Sequence, residues 1–203
     1  MIFRKLANPP ASFILSQLPK NHQIEINNFI KNNITGFQMR SWHEIKYYNH
    51  QFDREFFALF DGKCVYCEIK LRSLDEAELE RYRPHNNAIQ DESELFNPAE
   101  KHYMWLTWEW SNLYLACKEC VAAKRALFPI REDKKRAVPF TYDAYSLCLE
   151  EPYLLNPSLD NPLNHLDFDD SGHVKPKQDS KRGEKTINIL ELNKSAFGNS
   201  LDI

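Results

Sequence analysis

Two Cys-x-x-Cys pairs, Cys64/Cys67 and Cys117/Cys120, stand far apart in the chain, and they constrain its fold more than any other feature. If the pairs meet, everything between them is closed into a loop. Cys148, the remaining cysteine, reads as a small core hydrophobe. The opening Met1-Ile2-Phe3-Arg4-Lys5 lacks the apolar stretch of a secretion signal, so the expectation is a cytoplasmic chain without a disulfide framework. A redox motif or buried free thiols would explain one pair. Two pairs of identical spacing are better explained by one tetrahedral zinc, with four thiolates at about 2.3 Å from the metal. Such a zinc is structural, because four thiolates leave no open position for water.

Composition narrows the classes further. Only 5 of the 203 residues are glycine, and no GxGxxG or GxxxxGK[ST] string occurs, which argues against a glycine-rich nucleotide site. No apolar window is long enough to span a membrane. The formal net charge is -3, so any nucleic-acid surface has to be a local patch. Residues 118–136 hold seven basic against three acidic side chains, enough to follow a phosphate backbone, although a solvated charged face has the same composition. Residues 63–100 are acidic, with nine acids against five bases.

The pattern along the chain predicts an extended arm to about residue 20, broken by Pro9, Pro10 and Pro19. Helices are expected over 22–33 and over 41–60, the second with Trp42, Ile45, Phe52, Phe56 and Phe60 near helical spacing. A knuckle at Cys64–Cys67 follows, then a strand over 79–84 closed by Pro84, and a polar loop over 85–101. Tyr103, Trp105, Trp108, Trp110 and Tyr114 read as core rather than as base-stacking groups. Asn112 interrupts that run with no structural reason visible in the sequence. The second cysteine pair opens a helix over 118–127. A hairpin turning at 170–172 and a short helix over 186–192 close the chain.

The strings Lys63-Cys64-Val65-Tyr66-Cys67-Glu68, Glu80-Arg81-Tyr82-Arg83-Pro84, Trp108-Glu109-Trp110-Ser111-Asn112-Leu113, Ala116-Cys117-x-x-Cys120-x-x-x-Lys124 and Phe128-Pro129 resemble the HNH endonucleases. In particular they resemble the small PtuB-like HNH subunit of Septu-type and retron-associated anti-phage systems. Leu155-Asn156-Pro157, His165-Leu166-Asp167-Phe168 and Arg182-Gly183-x-x-Thr186-Ile187 extend the resemblance, which covers about residues 40–193. It implies an α+β fold with a ββα-metal core and a four-cysteine structural zinc, flanked by N-terminal helices and an irregular C-terminal extension. The boundaries expected are 1–62, 63–130 and 131–203, packed as one compact domain. The implied reaction is metal-dependent phosphodiester cleavage of DNA or RNA.

The resemblance also implies roles. Glu80 falls at the acid position and can ligate Mg²⁺ or Mn²⁺. Asn112 falls at the position that orients the general base, and Lys124 at a basic position that holds phosphate. Arg83, Lys118, Lys124 and Arg125 are the expected nucleic-acid contacts. Two positions depart from the pattern. Arg81 stands where the general base belongs, and arginine does not accept a proton near neutral pH. Val121 stands where a metal ligand belongs and offers no lone pair.

Three readings follow. The site is dead and the domain is kept for nucleic-acid binding or assembly; the base has moved, to His85 or His102; or Arg81 stabilises the phosphate in the transition state. His165 is either part of the site or a hydrogen-bonded structural histidine. The implied partners are a PtuA-like ATPase and, for a retron-linked system, a reverse transcriptase with its RNA–DNA product.

Overall fold

The computed structural model describes residues 1, 3–15, 20–21, 23–24, 27, 50–85, 87–96, 103–138 and 144–194. Much of the helix expected over 22–33, and the first part of the one expected over 41–60, lie outside them. The described residues form an α+β arrangement of short helices around two small antiparallel sheets.

The arm is not wholly extended. Helix α1 (Ala11–Leu15) starts directly after Pro10, whose carbonyl accepts from Phe13 N at 3.0 Å. Proline suits this place, because the first helical residues have no partner for an N–H in any case. Phe13 is buried against Phe52 and Trp110, with ring centroids 5.3 and 5.2 Å away. Helix α2 (His50–Leu59) carries Phe52 and Phe56 one turn apart, and Phe60 continues the row into the core. Asp61 and Gly62 both take positive φ, and Gly62 N reaches back to Phe57 O at 3.0 Å, which stops the helix just ahead of the first cysteine pair.

Strand β1 (Ala77–Arg81) pairs antiparallel with β2 (Leu113–Cys117), in a register that sets Ala77 opposite Cys117 and Arg81 opposite Leu113. Helix α3 (Lys118–Lys124) leaves β2 directly and packs on both strands. It is shorter than expected, because Arg125 turns to φ 47° at its end. The expected strand starts two residues earlier and ends before Pro84. Every residue of β2 is buried, and the aromatic run before it is core: Tyr103, Trp105, Trp108 and Tyr114 are all buried.

Beyond this hairpin, helix α4 (Ala144–Cys148) leads to a second hairpin, β3 (Leu166–Phe168) with β4 (Val174–Pro176), turning where the sequence predicts. Helix α5 (Lys181–Leu190) starts earlier than expected, capped by Ser180, whose hydroxyl accepts from Gly183 N at 3.0 Å. It packs on α3 and β4. Gly183 is required there: a Cβ would meet the His165 carbonyl oxygen at 2.2 Å.

Candidate functional site

The knuckle around Cys64 and Cys67 is held by local backbone bonds. Glu68 N donates to Cys64 O at 3.0 Å and Cys64 N to Ile69 O at 3.1 Å, with Glu68 at φ 66°. Val65 N donates to Leu115 O at 2.9 Å and so pins the knuckle to β2. Cys117 ends β2 and caps α3, and its sulfur accepts from Cys120 N at 3.4 Å. Fold and sequence together thus bring the two pairs face to face.

The four cysteine sulfurs lie within 4.8 Å of one another, and Cys67 Sγ is 3.7 Å from Cys117 Sγ. Four thiolates about 2.3 Å from a tetrahedral zinc would sit about 3.8 Å apart, so the cluster fits such an ion. None of the four is in a disulfide. Their thiols compete for protons. Burial opposes the Cys64 thiolate, but hydrogen bonds from Cys117, Cys120 and Cys67 outweigh it and hold that pKa below the ordinary thiol range. Cys120, donating to Cys117, Cys64 and Cys67, is pushed up. A divalent cation resolves the competition by taking all four as thiolates. Zinc here would clamp the chain and would leave no coordination position for chemistry.

The acid expected to bind a second, catalytic cation is otherwise engaged. Glu80 is buried on β1, and its Oε1 accepts from Lys124 Nζ at 2.6 Å. Lys124 is itself fully buried and also donates to Arg81 O at 2.9 Å. Its ammonium is therefore turned inward, onto Glu80 and the Arg81 carbonyl, rather than outward to a phosphate. Val121 lies half-buried on α3 and supplies no ligand. A lone carboxylate already paired with an ammonium is a poor donor set for Mg²⁺ or Mn²⁺, which favour several free oxygens. Tyr66 is fully buried in the same region, and burial together with the Glu80 charge drives its pKa well above the ordinary value.

Arg81 follows Glu80 on β1, so its side chain leaves the opposite face of the hairpin. It is half-buried. Its Nε donates to Thr107 O at 3.0 Å, and its guanidinium lies 5.1 Å over the Trp108 ring. Burial pulls its pKa down, with Glu80 pushing the other way, to about 10.

Asn112 does have a structural reason to be where it is. Its Oδ1 accepts from Arg83 N at 2.8 Å, and its Nδ2 donates to Arg83 O at 3.1 Å and to Leu106 O at 3.0 Å. The side chain clips the exit of β1 to the turn before β2, and its partners there are all backbone.

The remaining expected residues are scattered. Arg83 is held by Glu150 at 3.0 Å. Lys118 is exposed at the start of α3, and Arg125 is exposed and paired with Glu92 at 3.0 Å. His85 is half-buried just past Pro84. His102 lies outside the described residues. His165 Nδ1 is 2.8 Å from Ser180 Oγ, which supports the structural reading of that histidine.

Glu150 was not visible in the sequence as a site residue. It is buried and gathers Arg83 Nε, Tyr103 OH at 2.6 Å and Ala137 N at 2.8 Å. It forms part of the wall of an open cleft of about 1100 Å³, shared with Tyr82, Arg131, Tyr153, Asp160 and Arg182. Cys148 also lines this cleft and is exposed, so it is not the core hydrophobe expected: α4 presents it to solvent. The cleft's arginines are matched by its own carboxylates, with Arg182 on Asp160 at 2.6 Å and Arg131 on Glu151 at 2.9 Å. No described helix is long and apolar enough to cross a membrane.

No protein-family profile matches the chain, and no solved structure does. Two curated relatives do, both from Bacillus mycoides (strain KBAB4). Over 137 residues the chain is 36% identical to Septu protein PtuB, covering 67% of this chain and 44% of that protein. Over 135 residues it is 38% identical to Septu protein PtuA, covering 66% of this chain and 18% of that protein. The chain thus spans less than half the length of either curated relative.

Proposed function

We propose that the chain is a zinc-clamped component of a Septu-type anti-phage defence system, acting beside a PtuA-like ATPase, with an HNH-like hairpin and helix that engages nucleic acid without hydrolysing it. The likeness to the two Septu proteins supports the system. The order of the parts supports the HNH-like core: a cysteine knuckle, an antiparallel hairpin and a helix opened by the second cysteine pair. Nothing in the two relatives' names points to a retron partner, which rests on the resemblance alone.

The single observation that carries the non-hydrolytic reading is the Lys124 ammonium on the Glu80 carboxylate. Hydrolysis at a site of this kind needs a carboxylate open to a cation and a group that takes a proton from water. Glu80 is paired, and the position after it is an arginine. The competing reading is metal-dependent cleavage. Its support is that Glu80 and Arg81 are consecutive on β1, with half-buried His85 four residues beyond Arg81, just past Pro84.

The test is the assembled complex incubated with DNA and with RNA in Mg²⁺ or Mn²⁺. The expected result is no cleavage above that of a Glu80→Ala complex, while Cys117→Ser abolishes phage resistance in cells. Cleavage that requires the divalent ion and vanishes in Glu80→Ala overturns the reading.

A further inference from the structure

A guanidinium has five N–H donors and a permanent charge, and removing it from water without a counter-ion costs free energy. The described arginines follow that rule with one exception. Apart from exposed Arg54, every other one has a carboxylate within 3.0 Å. Arg81 is half-buried and has none. Its neighbour Glu80 faces the other side of the hairpin and is held by Lys124. Only Arg81 Nε has an acceptor, Thr107 O, so among the described residues both terminal nitrogens have none.

The same guanidinium is fixed in place. The carbonyl of Thr107 orients one edge and the Trp108 ring supports one face. The outer edge is left as a ready-made fork for two oxygens of one anion. One uncompensated cation matches the single charge of a phosphodiester. A phosphomonoester, carrying close to two charges, would call for a second cation. In the large cleft the arginines are already held by carboxylates, and Lys181, which also lines it, offers a point charge rather than a fork.

We propose that Arg81, stacked on Trp108 and anchored to Thr107, is a receptor for one backbone phosphodiester of a nucleic-acid strand. This rests on the nucleic-acid-engaging reading above and names the residue through which that surface takes its ligand. It also gives Arg81 a role at a place where a base would be expected, since an arginine cannot accept the proton but can hold the phosphate.

The experiment is a binding titration of the full chain with labelled single-stranded DNA, the same sequence as RNA, and the DNA duplex, each over a salt series. Arg81→Ala is expected to weaken binding about tenfold, the worth of one charge-assisted contact, and to reduce the salt slope by about one ion. Arg81→Lys keeps the charge but loses the fork, so it should keep the slope and lose part of the affinity. Zinc content and circular dichroism matching wild type show that each variant is folded, and Arg81→Lys carries the test if Arg81→Ala is not.

Wild-type affinity and slope in Arg81→Ala, wild-type affinity in Arg81→Lys, or a wild-type chain that binds none of the strands overturns the proposal. Samples from the same titrations, run on a gel with Mg²⁺, separate the two ideas. Cleavage lost in Glu80→Ala would end the non-hydrolytic reading and leave the phosphate receptor standing.

Discussion

The ammonium of Lys124 lies 2.6 Å from the carboxylate of Glu80, with both side chains buried beneath the first hairpin. Lys124→Met leaves a buried carboxylate with no counter-charge and should cost about 3–5 kcal/mol, a large part of the stability of a domain this size. Adding Glu80→Gln should recover much of that loss, because the pair then disappears together. Urea denaturation of the two single variants and the double variant measures the coupling. A double variant no more stable than Lys124→Met would mean that the two groups do not depend on each other.

The four cysteines should hold one zinc per chain by elemental analysis of the purified protein. Structural zinc contributes about 10–16 kcal/mol in peptide systems. Chelation, or Cys64→Ser, should therefore unfold the first hairpin and release α3 from it. Hydrogen exchange across β1 and β2 reads this directly; unchanged protection after complete metal removal would contradict it.

Asn112→Ala should destabilise the chain even though it removes no charge. It leaves Arg83 N, Arg83 O and Leu106 O without their side-chain partners. A buried group left so costs roughly 1–3 kcal/mol, and partial hydration should bring the total to about 3 kcal/mol. Asn112→Asp should be at least as damaging, since a carboxylate cannot donate to either carbonyl. Thermal melts of both variants decide the matter, and two melts at the wild-type temperature would show that the clip is dispensable.

Acid should unfold the C-terminal half in two stages. Burial, then the Arg182 charge, lowers the His165 pKa below its ordinary 6.5, with Asp160 opposing. The unfolded chain then binds a proton that the folded one refuses. The stability from this group is whole above about 6.5 and is lost as pH falls through the lower folded value. Burial raises the Asp160 pKa, but Arg182 outweighs it and holds that pKa below 3.8, so its contribution is present above 3.8 and lost further down. Melting temperature against pH should show both stages, and His165→Asn should remove only the upper one.

Local signals made much of this architecture legible. The cysteine spacing, the turn at 170–172 and the aromatic run before β2 each encode their outcome within a few residues. What escaped depended on partners distant in the chain. Glu150 is one acid among many until Arg83, Tyr103 and Ala137 converge on it. Lys124 reads as a surface lysine at a helix end, and only the packing of α3 on β1 shows that it faces inward. Asn112 takes an orienting role from the resemblance, and only the fold shows that its side chain also ties Arg83 to Leu106 through their backbones. Cys148 looks like core by residue type, but α4 leaves it outside.

The opening stretch of the chain is stitched across the rest. Ala7 O accepts from Trp110 Nε1 at 2.7 Å, Arg4 N donates to Pro157 O at 2.8 Å, and Phe13 closes over Phe52 and Trp110. Trimming these first residues, a common step when a compact fragment is wanted for crystallisation, would strip the cover from a row of aromatic rings. A shortened version should stick to itself in solution, and that clumping would be a product of the truncation rather than a property of the intact molecule.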